Sequence, residues 1–157
     1  SCNNTLDGNI ASNNYHGIHL WTSCNNTLVN NNASSNTRQG IHLQASSNNN
    51  LFTENNCSNN SNDGIYLFDS SNNTFTDNNC SNNGGDGISL QSSCSNSCNN
   101  TVTGNTVSNN HHGIYLWDAS NNTLATNTID SSDLHGVHLH SSCDNERLFN
   151  FFRISGS

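Results

Sequence analysis

One four-residue figure, Gly followed by Ile or Val, any residue and then Leu, returns six times along the chain. Its copies are Gly17-Ile18-His19-Leu20, Gly40-Ile41-His42-Leu43, Gly64-Ile65-Tyr66-Leu67, Gly87-Ile88-Ser89-Leu90, Gly113-Ile114-Tyr115-Leu116 and Gly136-Val137-His138-Leu139. From Gly to Gly the steps are 23, 24, 23, 26 and 23 residues. A fixed period in this range marks a repeat architecture, where each unit buries its apolar face against the next.

A second figure alternates with the first. Asn-Asn-Thr and an apolar residue stand at 3–6, 25–28, 72–75, 99–102 and 121–124, with degenerate copies at 49–52 and 145–148. Three positions beyond the apolar residue comes Asn9, Asn31, Asn55, Asn78, Asn105 or Asn127, and two further on Ala11, Ala33, Cys57, Cys80, Val107 or Ile129. Each repeat therefore offers three short apolar-centred segments separated by Asn, Ser and Gly turns. With 36 Asn among 157 residues and only 30% apolar, composition alone would suggest disorder. The apolar residues are not scattered, however; they return at fixed places, as a stacked core requires. Helix formers are scarce, and Pro, Met and Lys are absent, which favours short strands and polar turns over helical repeats.

The fold class that follows is all-β: a parallel β-helix, or solenoid, or a stack of β-arches, with about seven coils of 22–26 residues in one domain spanning 1–157. Coils begin near 2, 24, 48, 71, 98 and 120, and a partial last coil, rich in aromatics, occupies 144–157. Coils ~4.8 Å apart make a rod on the order of 30 Å long. Strand alternation sends Ile and Leu inward and the intervening residue outward. Gly at the strand entrance is expected to supply a bend with positive φ, and the recurring Asn to stack amide on amide in a ladder. The Asn-x-Thr sequons at Asn3, Asn25, Asn72, Asn99 and Asn121 are read as ladder residues, not glycan acceptors. Ser93 to Cys98 is an insertion at a turn.

Parity places His19, His42, Tyr66, Ser89, Tyr115 and His138 in one outward column and Trp21, Gln44, Phe68, Gln91, Trp117 and His140 in the next. The candidate contact face is Trp21, Tyr66, Phe68, Tyr115, Trp117, His138 and His140; it is a docking surface, a sugar-stacking platform or plain β-formers on a solvated sheet. Imidazole pairs His19 with His42 and His138 with His140 invite a soft metal, but no Cys or Met joins them outside, so no metal site or cofactor is expected. The residue before each Gly forms a third column, His16, Gln39, Asp63, Asp86, His112 and His135. Asp63 beside Asp86 has the form of a paired-carboxylate site. Flanking Asn and Gly suggest good solvation with nothing to raise either pKa, so no catalytic residue is assigned.

Seven Cys in so polar a chain point to an oxidising compartment. Cys2 and Cys24 both precede Asn-Asn-Thr-Leu and fall one rung apart, within disulfide reach. Cys57 and Cys80 stack likewise, bonded or simply as small buried hydrophobes, and Cys94 and Cys98 bracket the insertion. Cys143, with Ser120 on the rung below, is the candidate for a bond between subunits.

The tandem Asn-Asn-Thr-Leu-x-x-Asn and Gly-Ile-x-Leu figures, covering residues 2 to 149, resemble the NosD/CASH-type parallel β-helix repeats of methanogenic archaea. That family includes carbohydrate-active enzymes, a copper-handling periplasmic protein and structural envelope proteins. Small size and Cys content are most similar to the sheath proteins of filamentous methanogens, which implies an extracellular, cell-envelope or sheath location. Net charge −8 with three Arg and no Lys leaves nothing to neutralise nucleic acid, and disfavours acidic polysaccharide. No apolar run reaches membrane-spanning length. Neither end carries a polar cap, which suggests that the coil stack continues into a neighbouring copy. The leading expectation is a non-enzymatic structural subunit whose partner is itself, a homopolymer held by cross-β stacking, the aromatic face and disulfides. The alternatives are a carbohydrate-binding or carbohydrate-cleaving β-helix with a polysaccharide partner, and a copper-binding periplasmic-type β-helix.

Overall fold

A computed structural model describes residues 1–92, 98–148 and 150–153, without the side chains of 152 and 153. Every regular element among them is a β-strand, and all pairing between strands is parallel. The chain coils through three sheets. The Gly-Ile-x-Leu segments form a six-stranded sheet of Ile18–Trp21, Ile41–Gln44, Ile65–Phe68, Ile88–Gln91, His112–Trp117 and His135–His140. The Asn-Asn-Thr-Leu segments form a seven-stranded sheet running from Thr5–Asp7 to Glu146–Leu148. A third sheet has three strands, Thr106–Ser108, Thr128–Asp130 and Phe151–Arg153. Single bridges through Ile10, Asn32, Asn56, Asn79 and Thr106 continue it. The bridges widen into strands where Thr and a β-branched residue replace Asn and Ala or Cys, as β-propensity dictates. No helix of the described residues is long and apolar enough to cross a membrane.

Register is in phase from coil to coil: Ile18 pairs with Ile41, Ile41 with Ile65, Ile65 with Ile88 and Ile88 with Ile114. This is the parallel β-helix of the two expected forms, with three sheets wrapped around one apolar column. The core holds the Ile and Leu of the first sheet, Leu28, Phe52, Phe75, Val102 and Leu124 of the second, and Ala33, Cys57, Cys80, Val107 and Ile129 of the third. Phe52 and Phe75 stack with ring centroids 4.9 Å apart. Cys57 and Cys80 carry no bond between them; both are fully buried thiols in this column, and burial pushes the Cys80 thiol well above its ordinary pKa. They serve as small core hydrophobes. Cys2 and Cys24 are joined by a disulfide across one rung. Cys143 is exposed and unbonded, and Cys94, whose pairing with Cys98 was expected, lies outside the described residues.

Three asparagine ladders, not one, run along the coil, two of them from the first rung to the last described and the third over the rungs up to Asn110. The first is Asn4, Asn26, Asn50, Asn73, Asn100, Asn122 and Asn145. The second is Asn9, Asn31, Asn55, Asn78, Asn105, Asn127 and Asn150. The third joins Asn36, Asn60, Asn83 and Asn110 by side chains, with the Asn14 backbone N–H donating to Asn36. In each, one Oδ1 accepts both the backbone N–H and the Nδ2–H of the Asn on the previous rung, so a buried corner leaves few groups unpaired. Before the ladder residue the chain turns through the left-handed region, at Asn25 (φ 54°), Asn72 (φ 57°) and Asn121 (φ 57°), for example. These corner residues are the sequon asparagines. They are exposed and belong to no ladder, so the reading of sequons as ladder residues is off by one position.

The repeated Gly has a different task from the one expected. None of Gly17, Gly40, Gly64, Gly87 and Gly113 has positive φ. Instead a Cβ on Gly64 would lie 2.7 Å from the Gly87 carbonyl oxygen and 2.9 Å from both Asn83 Nδ2 and the Cys57 carbonyl oxygen. Close approach between rungs and the third ladder, not backbone bend, excludes a side chain. Gly64→Ala is expected to lower stability by about 2 kcal/mol through overpacking, read as a fall in the urea midpoint at unchanged m-value.

Candidate functional site

The outer face of the six-stranded sheet gathers nearly all the chemistry-bearing side chains. Its aromatic columns lie where alternation put them: Trp21 is 61% and Trp117 45% exposed, while Tyr66, Phe68, Tyr115 and His138 are partly covered and His140 is exposed. Tyr66 and Phe68 stack at 6.5 Å, and Tyr115 and Trp117 lie 6.4 Å apart. Between the two Tyr, Ser89 is small enough to leave a hollow, and it is completely buried there because Gln91 Nε2–H donates to its hydroxyl while Tyr66 OH donates to Gln91 Oε1.

Beside this sheet, the connections from the third ladder into the repeated Gly form a wall of uneven height. Three residues separate ladder Asn from Gly in the middle coils, Thr37-Arg38-Gln39, Ser61-Asn62-Asp63 and Gly84-Gly85-Asp86, against two in the coils on either side, Tyr15-His16 and His111-His112. The wall and the sheet enclose an open depression of about 580 Å³, bordered by Tyr15, Arg38, His42, Asp63, Tyr66 and Asp86 among others. Arg38, one of three permanent cations in the chain, stands at its rim with its guanidinium 5.4 Å from the Tyr15 ring centre.

The carboxylates are not solvated turn residues. Asp63 and Asp86 are buried, because stacked rungs cover them above and below. Asp63 Oδ1 accepts the Asp86 backbone N–H at 2.8 Å and Oδ2 accepts Gln39 Nε2–H at 3.3 Å. Burial dominates, with the neighbouring Asp86 charge adding to it, and raises the Asp63 carboxyl to about 6. Asp86 Oδ1 accepts the His112 backbone N–H at 3.1 Å and lies 2.8 Å from His112 Nδ1.

Imidazoles close the row at both ends. At one, His16, His19 and His42 cluster with ring centres 4.7 to 5.4 Å apart. Burial first, then repulsion from His19 and His16, lowers His42 to about 4, so this ring is neutral at physiological pH. Both its nitrogens are buried with no hydrogen-bond partner among the described residues. Buried polar atoms left without a protein partner call for one from a water or a ligand. His19 and His42 stack face to face, 17° from parallel, and no three ligand atoms gather there among the described residues. The depression thus joins a carboxyl that exchanges its proton near neutrality, a neutral imidazole and a cation, the set needed for general acid–base chemistry.

The sequence matches the model of the "Right handed beta helix region" over residues 1–129 and 93–150. The chain belongs to the right-handed β-helix family. Among curated proteins none matches its sequence. Solved structures that resemble this β-helix include the periplasmic alginate epimerase AlgG, 20% identical with TM-score 0.81 over 93% of this chain and 39% of that one. The A-modules of two mannuronan C-5 epimerases from Azotobacter vinelandii are similar as well. AlgE4 is 16% identical, TM-score 0.71, covering 99% of this chain and 56% of its own, and AlgE6 is 14% identical, TM-score 0.73, covering 97% and 54%. This β-helix thus spans about two fifths to just over half of the proteins it resembles.

These findings correct the leading functional expectation. The narrower likeness to NosD/CASH repeats, to methanogens and to their sheaths finds no support among the relatives. The self-assembling, non-enzymatic sheath subunit is contradicted by the solved structures reported above as similar to this chain, which are epimerases of alginate or mannuronan. Open coil edges are presented by any stretch of a longer solenoid, so they carry no argument for a homopolymer.

Proposed function

We infer that this β-helix is carbohydrate-active: it binds a polysaccharide across the outer face of the six-stranded sheet and acts on it by proton transfer in the depression. The observation that carries the reading is the convergence of the buried Asp63, poised at about 6, with the unpartnered His42 ring in an open hollow beside exposed Trp and Tyr. Aromatic faces stack on sugar rings, and at neutral pH the hollow offers a mostly ionised carboxylate that accepts a proton and takes it up readily near pH 6, beside a neutral imidazole. The likeness to alginate and mannuronan epimerases supports the same substrate class, and Arg38 is placed to meet a sugar carboxylate despite the chain's net negative charge. Removal of a proton from the carbon next to such a carboxylate and its return to the opposite face would need one group on each side of the sugar ring. The Cys2–Cys24 disulfide, and the periplasmic location named for one relative, support a place outside the cytoplasm or in the envelope.

The test pairs binding with exchange. The chain is titrated with mannuronan, alginate and a neutral glucan, and each polymer is incubated with it in deuterated water and followed by NMR. Saturable binding to a polysaccharide, weakened at least tenfold by Trp117→Ala, and deuterium incorporation abolished by His42→Gln are expected. Absence of binding to all three polymers and to a broad glycan array would remove the proposal.

A further inference from the structure

At the other end of the row from His42, three imidazoles meet that the depression does not use. His112, His135 and His138 each offer one ring nitrogen, and these three atoms all lie within 4.8 Å of one another. They come from two adjacent rungs: His112 and His135 are paired in register, and His138 is three residues beyond His135. The rings of His135 and His138 are centred 4.8 Å apart, and those of His112 and His138 5.0 Å apart with a 47° tilt. The rings of His112 and His135 stack 7° from parallel with centres 5.4 Å apart, and the His138 ring, tilted 47° and 44° to them, turns one nitrogen across toward theirs. His138 Nδ1 stands 3.3 Å from His112 Nε2. Ligand nitrogens ~2.0–2.1 Å from a tetrahedral zinc are about 3.4 Å apart, so this pair already spans one edge of such a site.

A second observation points the same way. His112 Nδ1 is held 2.8 Å from the buried Asp86 carboxylate, which also accepts the His112 backbone N–H at 3.1 Å. A neutral His112 therefore keeps its proton on Nδ1 and turns the Nε2 lone pair toward His138 and His135. A carboxylate behind a ligating imidazole, fixing its tautomer and orientation, is the recurrent outer partner of zinc-bound His. The Tyr115 ring packs 5.1 Å from His112 and 5.0 Å from His138, limiting how far either can swing. His135 is exposed and His138 half-buried, so small side-chain rotations suffice to bring the third nitrogen in, while solvent keeps access from outside.

The geometry points to a three-histidine site for a divalent zinc-class ion, with His112, His135 and His138 as ligands and Asp86 as the positioning carboxylate. Three imidazoles leave the fourth position for water or a substrate oxygen, the arrangement of catalytic rather than structural zinc. Because Asp86 also borders the depression, the ion would sit one carboxylate away from the acid–base groups. Its existence does not depend on the polysaccharide reading.

Chelator-stripped chain is dialysed against Zn2+ and assayed by elemental analysis and calorimetry, and Co2+ loading is followed by visible absorption. The expected result is one ion per chain, with the intense d–d bands of four-coordinate Co2+. Exposed His135→Ala, which leaves the core intact, and His138→Ala are expected to abolish stoichiometric binding. Asp86→Asn should weaken it about 10–100-fold, and His19→Ala should leave it unchanged. Sub-stoichiometric uptake, full binding by His135→Ala, or equal loss in His19→Ala would overturn the site. Zn2+ bound without any glycan affinity would sink the functional reading alone, and glycan affinity without Zn2+ the metal site alone.

Discussion

Asn78→Ala is expected to destabilise the coil by about 4 kcal/mol, although its side chain is neither part of the apolar column nor on the border of the depression. Asn78 Oδ1 accepts the Asn55 backbone N–H at 2.9 Å and Asn55 Nδ2–H at 3.0 Å. Its own Nδ2 donates to the Phe52 carbonyl and to Asn105 Oδ1, each at 3.0 Å. Asn55, Asn78 and Asn105 are all but fully buried, so truncation strands both Asn55 donors where water cannot replace the acceptor. Each buried donor left without a partner costs about 1–3 kcal/mol. Asn78→Asp restores the acceptor but sets a carboxylate oxygen against Asn105 Oδ1, and should fare no better. Asn109→Gly, at an exposed left-handed corner (φ 54°) before the third ladder, should cost under about 1 kcal/mol by the same urea titration, because Gly adopts that conformation freely. Comparable losses at Asn78 and Asn109 would show that the ladder is not what holds the corners.

That contrast explains how much of the molecule its sequence reveals. The period, the inward Ile and Leu, and the ladder through Asn55 and Asn78 are local patterns repeated in phase, and a parallel in-register stack preserves them. The third ladder through Asn36, Asn60, Asn83 and Asn110 carried the same signal, an Asn five residues past each second-ladder Asn, and was hidden only by the abundance of Asn. The task of Gly64 was misjudged because the atoms that exclude a Cβ belong to Cys57, Asn83 and Gly87, none of which is a sequence neighbour.

The site was legible as columns and illegible as chemistry. Asp63 and Asp86 were placed side by side correctly, yet their flanking Asn and Gly suggested solvent, whereas burial here comes from the rungs on either side. Burial is a property of the stack, and so is the pKa it sets. The three-imidazole cluster escaped notice for a related reason. His112 and His135 fall in one column and His138 in another, and only the tilt of the rings across that boundary brings their nitrogens together. One extra residue in each of three consecutive connections, a deviation from the repeat rather than the repeat itself, raises the wall that makes the depression.

Asp63 supplies the second large effect, and its sign runs against the usual behaviour of a surface carboxylate. Burial raises this carboxyl from 3.8 to about 6 in the folded chain. The folded state therefore binds a proton more readily than the unfolded state between those values. Its contribution to stability is fully present below about pH 4 and is lost as pH rises through about 6; above that, the chain carries a buried charge that costs on the order of 3 kcal/mol. Asp63→Asn keeps an acceptor for the Asp86 N–H and carries no charge. It should be more stable than the parent by about 2–3 kcal/mol at pH 7, equal to it at pH 4, and flatter in between. Denaturant titrations across that range provide the measurement, and a parallel pH dependence in parent and variant would rule out Asp63 as the titrating group. If proton transfer in the depression is its role, the same substitution should abolish exchange into the polysaccharide while leaving binding within about threefold of the parent. A gain in stability coupled to a loss of activity is the mark of a charge held in an unfavourable place for the sake of its chemistry.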